Sequence, residues 1–294
     1  RSAQVSCKHR VCYQYAIKMP LTASLYEALE SMNDAQTHRG PDGHGTMLEP
    51  EIGLAHRRLS ILDLSEAGRQ PMYSSDGQLV IAFNGEIFNF QALREELKGK
   101  GYSFHSHTDT EVLLCGYQEY GAEVLHKLNG MFAFAIWDKE SKETFIARDR
   151  IGVKPLYFSE YNDLLYFASE PKALIRAGVP KDLNEEALEE LLLFKYVAGK
   201  KTIYKHIQRL LPGHCMTIGP EGINIKRWWD LPAIIKANRS VKTEPKKWFT
   251  ETFRSSVQLR MISDVPVGIL LSGGLDSSSV AVQLNELGHK GNSY

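Results

Sequence analysis

Apolar positions along this chain change period several times, and each change marks an element. Leu25, Leu29 and Met32 recur at helical spacing, and the Gly-, Pro- and Asp-containing stretch 39–45 ends that helix. Residues 79–83 form a short continuous apolar run that leads into Asn84-Gly85. Between apolar segments that pair is a type I′ hairpin signal. Phe90, Leu93 and Leu97 predict a helix that stops in the region 99–101. Thr108-Asp109 reads as the N-cap of a helix carrying Val112, Leu113, Tyr117, Val124 and Leu128. Residues 131–137, 144–147 and 164–168 read as buried strands. A helix over about 185–196 shows Leu188, Leu191 and Leu192, and strands at 210–218 and 223–228 pair around Gly219 and Gly222.

After Trp229 the composition turns polar, through Lys236, Asn238, Arg239 and the stretch 242–247, and the domain boundary is placed there. A helix from Pro245 to about Met261 follows, then a buried strand at 265–271 and a final helix. A strand-rich first part and an alternating second part predict two architectures in one chain.

Composition narrows the setting. Lys+Arg and Asp+Glu both count 35, so no whole-chain field recruits nucleic acid or an anionic membrane, and any phosphate site must be local. No apolar run approaches the roughly 20 residues that a spanning helix needs. The first ten residues are polar and no signal-peptide core follows them. Cys7, Cys12, Cys115 and Cys215 are scattered without zinc-type spacing, which makes a reducing cytosol the simplest setting. Cys115 falls on the buried stripe of its helix. His105 and His107 share a face but have no third ligand nearby, so no metal site is expected.

The strand predicted at 265–271 runs into Ser272, Gly273, Gly274, Leu275, Asp276, Ser277 and Ser278, where a helix starts. A Gly-Gly turn there converges backbone N–H groups, adds a helix dipole and lets phosphate approach closely. Three serines offer hydroxyls, and Asp276 suits the site if Mg2+ lies between carboxylate and pyrophosphate. No lysine follows the last glycine, so the loop is not of Walker type. A tight turn with an N-capping serine is the bland alternative. The stretch 264–278 resembles the pyrophosphatase loop of asparagine synthetases and other N-type ATP pyrophosphatases. This resemblance implies an ATP site at Leu271, Ser272, Gly273, Gly274, Asp276, Ser277 and Ser278, with Mg2+. ATP would be split between its α and β phosphates to activate a carboxylate.

Four further segments become interpretable together: Arg39-Gly40-Pro41-Asp42, His56-Arg57-Arg58-Leu59-Ser60-Ile61, Asn84-Gly85-Glu86 and Thr108-Asp109-Thr110-Glu111. Singly they read as a turn, a surface ion pair, a hairpin and a helix cap. Their order and spacing resemble the class II, N-terminal-nucleophile glutamine amidotransferases. Within that group the similarity to glutamine-hydrolysing asparagine synthetases is greatest. It runs from about Leu29 onward and includes residues 130–135, 148–157 and 168–170.

The residue types suit the chemistry of free glutamine. Arg58 can clamp the α-carboxylate with two parallel charge-assisted hydrogen bonds. Asp109, aided by Glu86, can pair with the ammonium, and the Asn84 side-chain and Gly85 backbone N–H groups can form an oxyanion hole. The resemblance assigns the same roles and adds Leu59, Ser60, Ile61 and Leu62 to the glutamine site.

The resemblance also implies an α+β fold. A four-layer αββα sandwich is expected over residues 21–230, a linker at 231–244, and the truncated start of a doubly wound α/β nucleotide domain at 245–294. Residues 1–20 read as an atypical leader. The family attacks glutamine with a cysteine at residue one of the mature chain, whose own amine is the base. This sequence opens Arg1-Ser2-Ala3, and Cys12 lies 27 residues before Arg39, flanked by Val11 and Tyr13. Cys7 and Cys12 therefore read as structural thiols. Residues 11–17 alternate as a substitute first strand would, and glutaminase activity is expected to be weak or absent. The family's aspartate-activating residues are expected beyond residue 294.

The expected reaction transfers ammonia from glutamine to ATP-activated aspartate, giving asparagine, AMP and pyrophosphate. Glutamine, aspartate and ATP are the expected ligands, with no nucleic acid or membrane partner and a homodimer left open. A non-catalytic glutamine-binding scaffold, or a relative that amidates or cyclises a different acceptor, remain alternatives.

Overall fold

In the computed structural model the described residues are 16–17, 23–237, 244–289 and 292–294. They fall into two compact units. One gathers the described residues up to 60 with 65–229, and the other gathers 61–64 with the described residues from 230 onward.

In the first unit the strands are β1 (Ala16–Ile17), β2 (Gly43–Glu49), β3 (Ile52–Arg58), β4 (Met72–Tyr73), β5 (Leu79–Ile87), β6 (Gly130–Asp138), β7 (Glu143–Arg148), β8 (Tyr157–Tyr161), β9 (Leu164–Ala168), β10 (Gln208–Arg209), β11 (His214–Gly219) and β12 (Gly222–Arg227). Its helices are α1 (Ala23–Asp34), α2 (Phe90–Lys98), α3 (Asp109–Tyr120), α4 (Val124–Lys127), α5 (Pro171–Arg176) and α6 (Glu185–Phe194). An antiparallel six-stranded sheet has the order β12-β11-β7-β6-β5-β4, and a four-stranded sheet has the order β1-β9-β8-β10. The β2–β3 hairpin lies with β3 beside β1.

Strand alternation makes the layers. Val80, Ala133, Ala135 and Trp137 of one sheet meet Phe158, Leu165 and Phe167 of the other, together with Ile52 and Leu54 of the hairpin. The outer face of the four-stranded sheet, with Tyr166 and Ala168, packs against Leu29 and Met32 of α1 and Ala173 and Leu174 of α5. Each buried Leu or Met there contributes roughly 1.5–3 kcal/mol of transfer free energy. Helix α3 covers the far side of the six-stranded sheet, where Tyr117 stacks on Phe145 at 5.2 Å between ring centroids. The order is helix, sheet, sheet, helix, as the family resemblance implies.

The structure corrects several local expectations. Asn84-Gly85 is not a hairpin turn but lies inside β5, all nine of whose residues are buried. The pair reads as a turn only in isolation. A Cβ on Gly85 would sit 2.4 Å from the Met131 carbonyl oxygen and 2.8 Å from the Phe132 Cα, so glycine serves close strand packing there. The helix from Asp109 breaks at Gly121, whose φ is +56°, and Val124 and Leu128 fall outside α3. Lys195 takes a left-handed conformation and ends α6 before Tyr196, and Leu192 is exposed. Gly213, with φ +66°, divides the strand predicted at 210–218. Of the substitute strand at 11–17 only β1 is described, paired with β9. Residues 11–15, Cys7 and Cys12 lie outside the described residues.

The second unit holds α7 (Leu231–Ala237), α8 (Pro245–Leu259), β13 (Gly268–Ile269), α9 (Leu275–Glu286) and β14 (Asn292–Ser293). Helix α7 occupies part of the stretch read as linker. The strand predicted at 265–271 is only two residues long, paired in parallel with β14. Pro266 cannot donate to a ladder, and Leu270 and Leu271 are exposed. Among the described residues no helix is long and apolar enough to cross a membrane.

Candidate functional site

Strand β4 covers β5 only at Val80 and Ile81, so the edge of β5 from Phe83 onward needs other partners. In an antiparallel strand, alternate residues point N–H and C=O to the same side. Phe83, Gly85 and Ile87 thus share this edge. The Phe83 N–H donates to the Gln70 Oε1 at 2.7 Å, and its carbonyl accepts from the His56 Nε2 at 3.2 Å. The Ile87 N–H donates to the Asp109 Oδ2 at 2.9 Å. Opposite Gly85, Phe132 spends both backbone groups on Asp149, donating to its carboxylate and accepting from its N–H. The Gly85 N–H therefore faces the open edge, between two neighbours that are capped. Among the described residues no side chain caps it.

The even-numbered residues of β5 face the other sheet, as Val80 does in the core. Parity places Asn84 and Glu86 on that face, and both are buried. The Asn84 Nδ2 donates to the Ser169 Oγ at 3.3 Å, across to the end of β9. Strand β3 follows the same logic. Ile52 and Leu54 enter the core between the sheets, and His56 on the same face reaches the Phe83 carbonyl. Arg58 lies one repeat further along, about 7 Å from His56. Its guanidinium Nη1 donates to the Ser65 carbonyl at 2.8 Å. Arg57 points the opposite way, toward α1, donating to the Asn33 carbonyl and pairing with Asp34. Two adjacent arginines thus have separate tasks.

Three local devices hold these groups. Asp42 clips the chain after β3, its N–H donating to the Arg58 carbonyl at 3.0 Å and its Oδ2 accepting from the Ser60 N–H at 2.8 Å. Gly40 lets the chain pass, since a Cβ there would sit 2.4 Å from the Arg57 carbonyl carbon. Asp109 occupies the first turn of α3, where a helix favours negative charge. Thr108 caps the Glu111 N–H at 3.2 Å, and Glu111 reaches back to the N–H groups of His105 and Ser106 at 2.8 Å each. Gln70 joins both neighbourhoods, donating to the Thr110 Oγ1 at 3.1 Å while it caps Phe83.

His56 is fully buried, and that desolvation pushes its ring down to about 3, so it is neutral near pH 7. Donation from Nε2 fixes the tautomer and leaves Nδ1 as an acceptor, which meets no donor. Burial raises both described thiols, Cys115 to about 11, so neither is an activated nucleophile.

His56, two residues before Arg58, and Asp109 bond to the β5 backbone on either side of Asn84, Gly85 and Glu86, and the matching families are now informative. Residues 14–229 match the Glutamine amidotransferase domain model, and residues 249–292 match the Asparagine synthase model. The chain belongs to the glutamine amidotransferase domain family. Asparagine synthetase [glutamine-hydrolyzing] 1 of Bacillus subtilis is 44% identical over 270 residues, covering 90% of this chain and 42% of that protein. Asparagine synthetase B of Escherichia coli is 39% identical over 256 residues, covering 87% of this chain and 41% of that one. The chain spans about two-fifths of the length of these relatives. A glutamine phosphoribosylpyrophosphate amidotransferase of B. subtilis shares the fold, with a TM-score of 0.56 and 21% identity over 74% of this chain and 49% of that one.

Arg58, Asn84, Gly85, Glu86 and Asp109 all lie in the amidotransferase domain, with Leu59 and Ser60 on the loop that Asp42 clips. Ile61 and Leu62 fall in the second unit, where the Asp264 N–H donates to the Ile61 carbonyl at 2.9 Å. The segment 148–157 is scaffolding. The Asp149 carboxylate accepts N–H groups from Phe132, Ile151, Val153 and Lys154, and Arg148 donates to the carbonyls of Gly152, Lys154 and Leu210. Sequence reasoning passed over Gln70, and it named His56 and Ser169 only as parts of segments. Their partners are remote in the chain, and local pattern does not reveal those pairings.

In the second unit the loop before α9 turns at Gly273, with φ +75°. Its hydroxyls close on one another, with the Ser272 Oγ 3.1 Å from the Ser277 Oγ and the latter donating to the Gly274 carbonyl at 3.2 Å. Ser277 is fully buried, while Ser272, Gly273, Gly274 and Asp276 are exposed. No group of three or more acidic, His or Cys side chains gathers there among the described residues. Asp276 offers one exposed carboxylate beside this turn, a donor suited to Mg2+ that takes most of its ligands from phosphate and water.

Proposed function

We propose that this protein is a glutamine-hydrolysing asparagine synthetase whose first domain binds free glutamine and releases its amide nitrogen. Arg58 clamps the α-carboxylate, and Asp109, with Glu86 beside it, receives the ammonium. The γ-carbonyl then lies against β5, where attack by a thiolate turns its oxygen into an oxyanion. The Gly85 N–H and the Asn84 amide supply the charge stabilisation, an effect worth roughly 3–4 kcal/mol per donor in comparable sites. Ammonia leaves and water cleaves the thioester, giving glutamate. The observation that carries this reading is the Gly85 N–H, turned to an edge whose neighbouring N–H groups are capped by Gln70 and Asp109.

The loop from Leu271 to Ser278 is assigned to ATP and Mg2+, with aspartate as the carboxylate to be activated. Mg2+ would supply charge neutralisation at the phosphates. The turn at Gly273 and Gly274 would orient the pyrophosphate, and Asp276 would hold the cation. A reducing cytosol suits the buried free thiols Cys115 and Cys215.

The test measures ammonia release from glutamine by the full chain, with mass spectrometry after an electrophilic glutamine analogue. Release that falls at least about 100-fold in Asn84→Ala supports the assignment. An adduct on Cys7 or Cys12 identifies the thiol. Glutamine binding with neither release nor adduct selects the second reading, a non-catalytic glutamine-binding module.

A further inference from the structure

We infer that Ser169 is a positioning residue that sets the angle of the Asn84 carboxamide; the inference rests on reading Asn84 as an oxyanion donor. An asparagine amide turns in a broad, two-fold torsional well, so the side chain does not aim its own N–H groups. Here Asn84 is fully buried, and its Nδ2 donates to the Ser169 Oγ at 3.3 Å. The amide is planar, so directing one of its two N–H groups directs the other. At 3.3 Å the bond orients the amide without gripping it, and such bonds tighten when substrate arrives.

Ser169 is itself held on both sides. Ala168, before it, is fully buried and pairs with Tyr157 at the end of β9. Glu170, after it, meets Arg39 at 2.7 Å, Lys172 at 2.9 Å and His38 at 3.6 Å. Arg39 belongs to the stretch 39–42, whose Asp42 clips the Arg58 loop. One short stretch therefore fixes both the carboxylate clamp and, through Glu170 and Ser169, the oxyanion donor. A serine that merely satisfied a buried amide would lack this connection and would affect stability alone.

The experiment uses the full chain carrying 15N-asparagine, with the Asn84 side-chain signal assigned by its loss in Asn84→Asp. In Ser169→Ala the two side-chain N–H shifts of Asn84 are expected to move, with the other asparagine signals unchanged. Ser169→Thr, which keeps the hydroxyl, is expected to restore them. Glutamine Kd by calorimetry should change less than about 2-fold. Turnover of glutamine in Ser169→Ala should fall at least about 10-fold in kcat with KM retained, as for a group that acts only in the transition state. An Asn84 signal identical in wild type and Ser169→Ala overturns the inference, as does a kcat that follows only the folded fraction. Absence of glutamine binding to the wild type counts against the glutamine-site reading instead, and the Asn84 signal still decides whether Ser169 orients the amide.

Discussion

The His56 Nε2 lies 3.2 Å from the Phe83 carbonyl oxygen, and this bond joins the strand that carries Arg58 to the strand that carries Asn84 and Gly85. The ring sits in the fully buried space between the sheets, where imidazolium is strongly disfavoured. The strands that carry Arg58 and Asn84 are thus joined by a neutral histidine.

Acid should loosen this join. Burial lowers the His56 pKa from 6.5 to about 3, so between those values the unfolded chain binds the extra proton and the folded chain does not. The contribution is complete above pH 6.5 and is lost as pH falls toward 3, at about 1.4 kcal/mol per pH unit. Urea unfolding at pH 7, 5.5 and 4.5 is expected to show a steeper acid loss in wild type than in His56→Gln. Parallel slopes would remove His56 from the acid response.

Gly85→Ala should damage both stability and chemistry. Its Cβ would meet the Met131 carbonyl oxygen at 2.4 Å, so β5 and β6 must part. Thermal melts are expected to show a loss of roughly 1–3 kcal/mol, the usual range for overpacking. A melt like that of wild type would mean that the strands have room to separate.

Asp42 is expected to act on glutamine affinity without touching the substrate. Asp42→Ala removes the acceptor of the Ser60 N–H, a bond of the charged class worth roughly 1.5–3 kcal/mol. Part of that loss should appear as a weaker glutamine Kd, with Asp42→Asn in between because it keeps one acceptor. Unchanged affinity in Asp42→Ala would show that the Arg58 loop holds its shape unaided.

Asp276 is expected to make nucleotide binding depend on divalent cation. Calorimetry with ATP should show Mg2+ enhancing affinity in wild type but not in Asp276→Asn. Equal enhancement in both would place the cation elsewhere.

Much of this architecture is legible in the sequence, because local patterning and packing agree. Leu29 and Met32 are buried where helical spacing puts them, and Thr108 caps α3 as its side chain suggests. Residues 144–147 lie within a buried strand for the same reason. What was not legible depends on contacts between remote segments. Asn84-Gly85 has the local chemistry of a turn, and only the approach of β6 shows why glycine stands in mid-strand. Gln70 and His56 act on backbone atoms of Phe83, 13 and 27 residues away, and buried polar groups of that kind leave no periodic trace. Pro266 signals the short β13, but the surrounding apolar run outweighs it. Helix α7 forms where polar composition alone suggests a linker.

Strand parity makes the central claim sharp, because it assigns different work to two neighbouring arginines. Arg58 shares the inter-sheet face with His56, whereas Arg57 donates to the Asn33 carbonyl on the side of α1. The deciding measurement is the calorimetric Kd for glutamine of wild type, Arg58→Ala and Arg57→Ala. The expected result is a loss of at least about 100-fold in Arg58→Ala, as when a bidentate charge-assisted pair is removed, and a change below about 3-fold in Arg57→Ala. Equal affinity in wild type and Arg58→Ala would contradict the account.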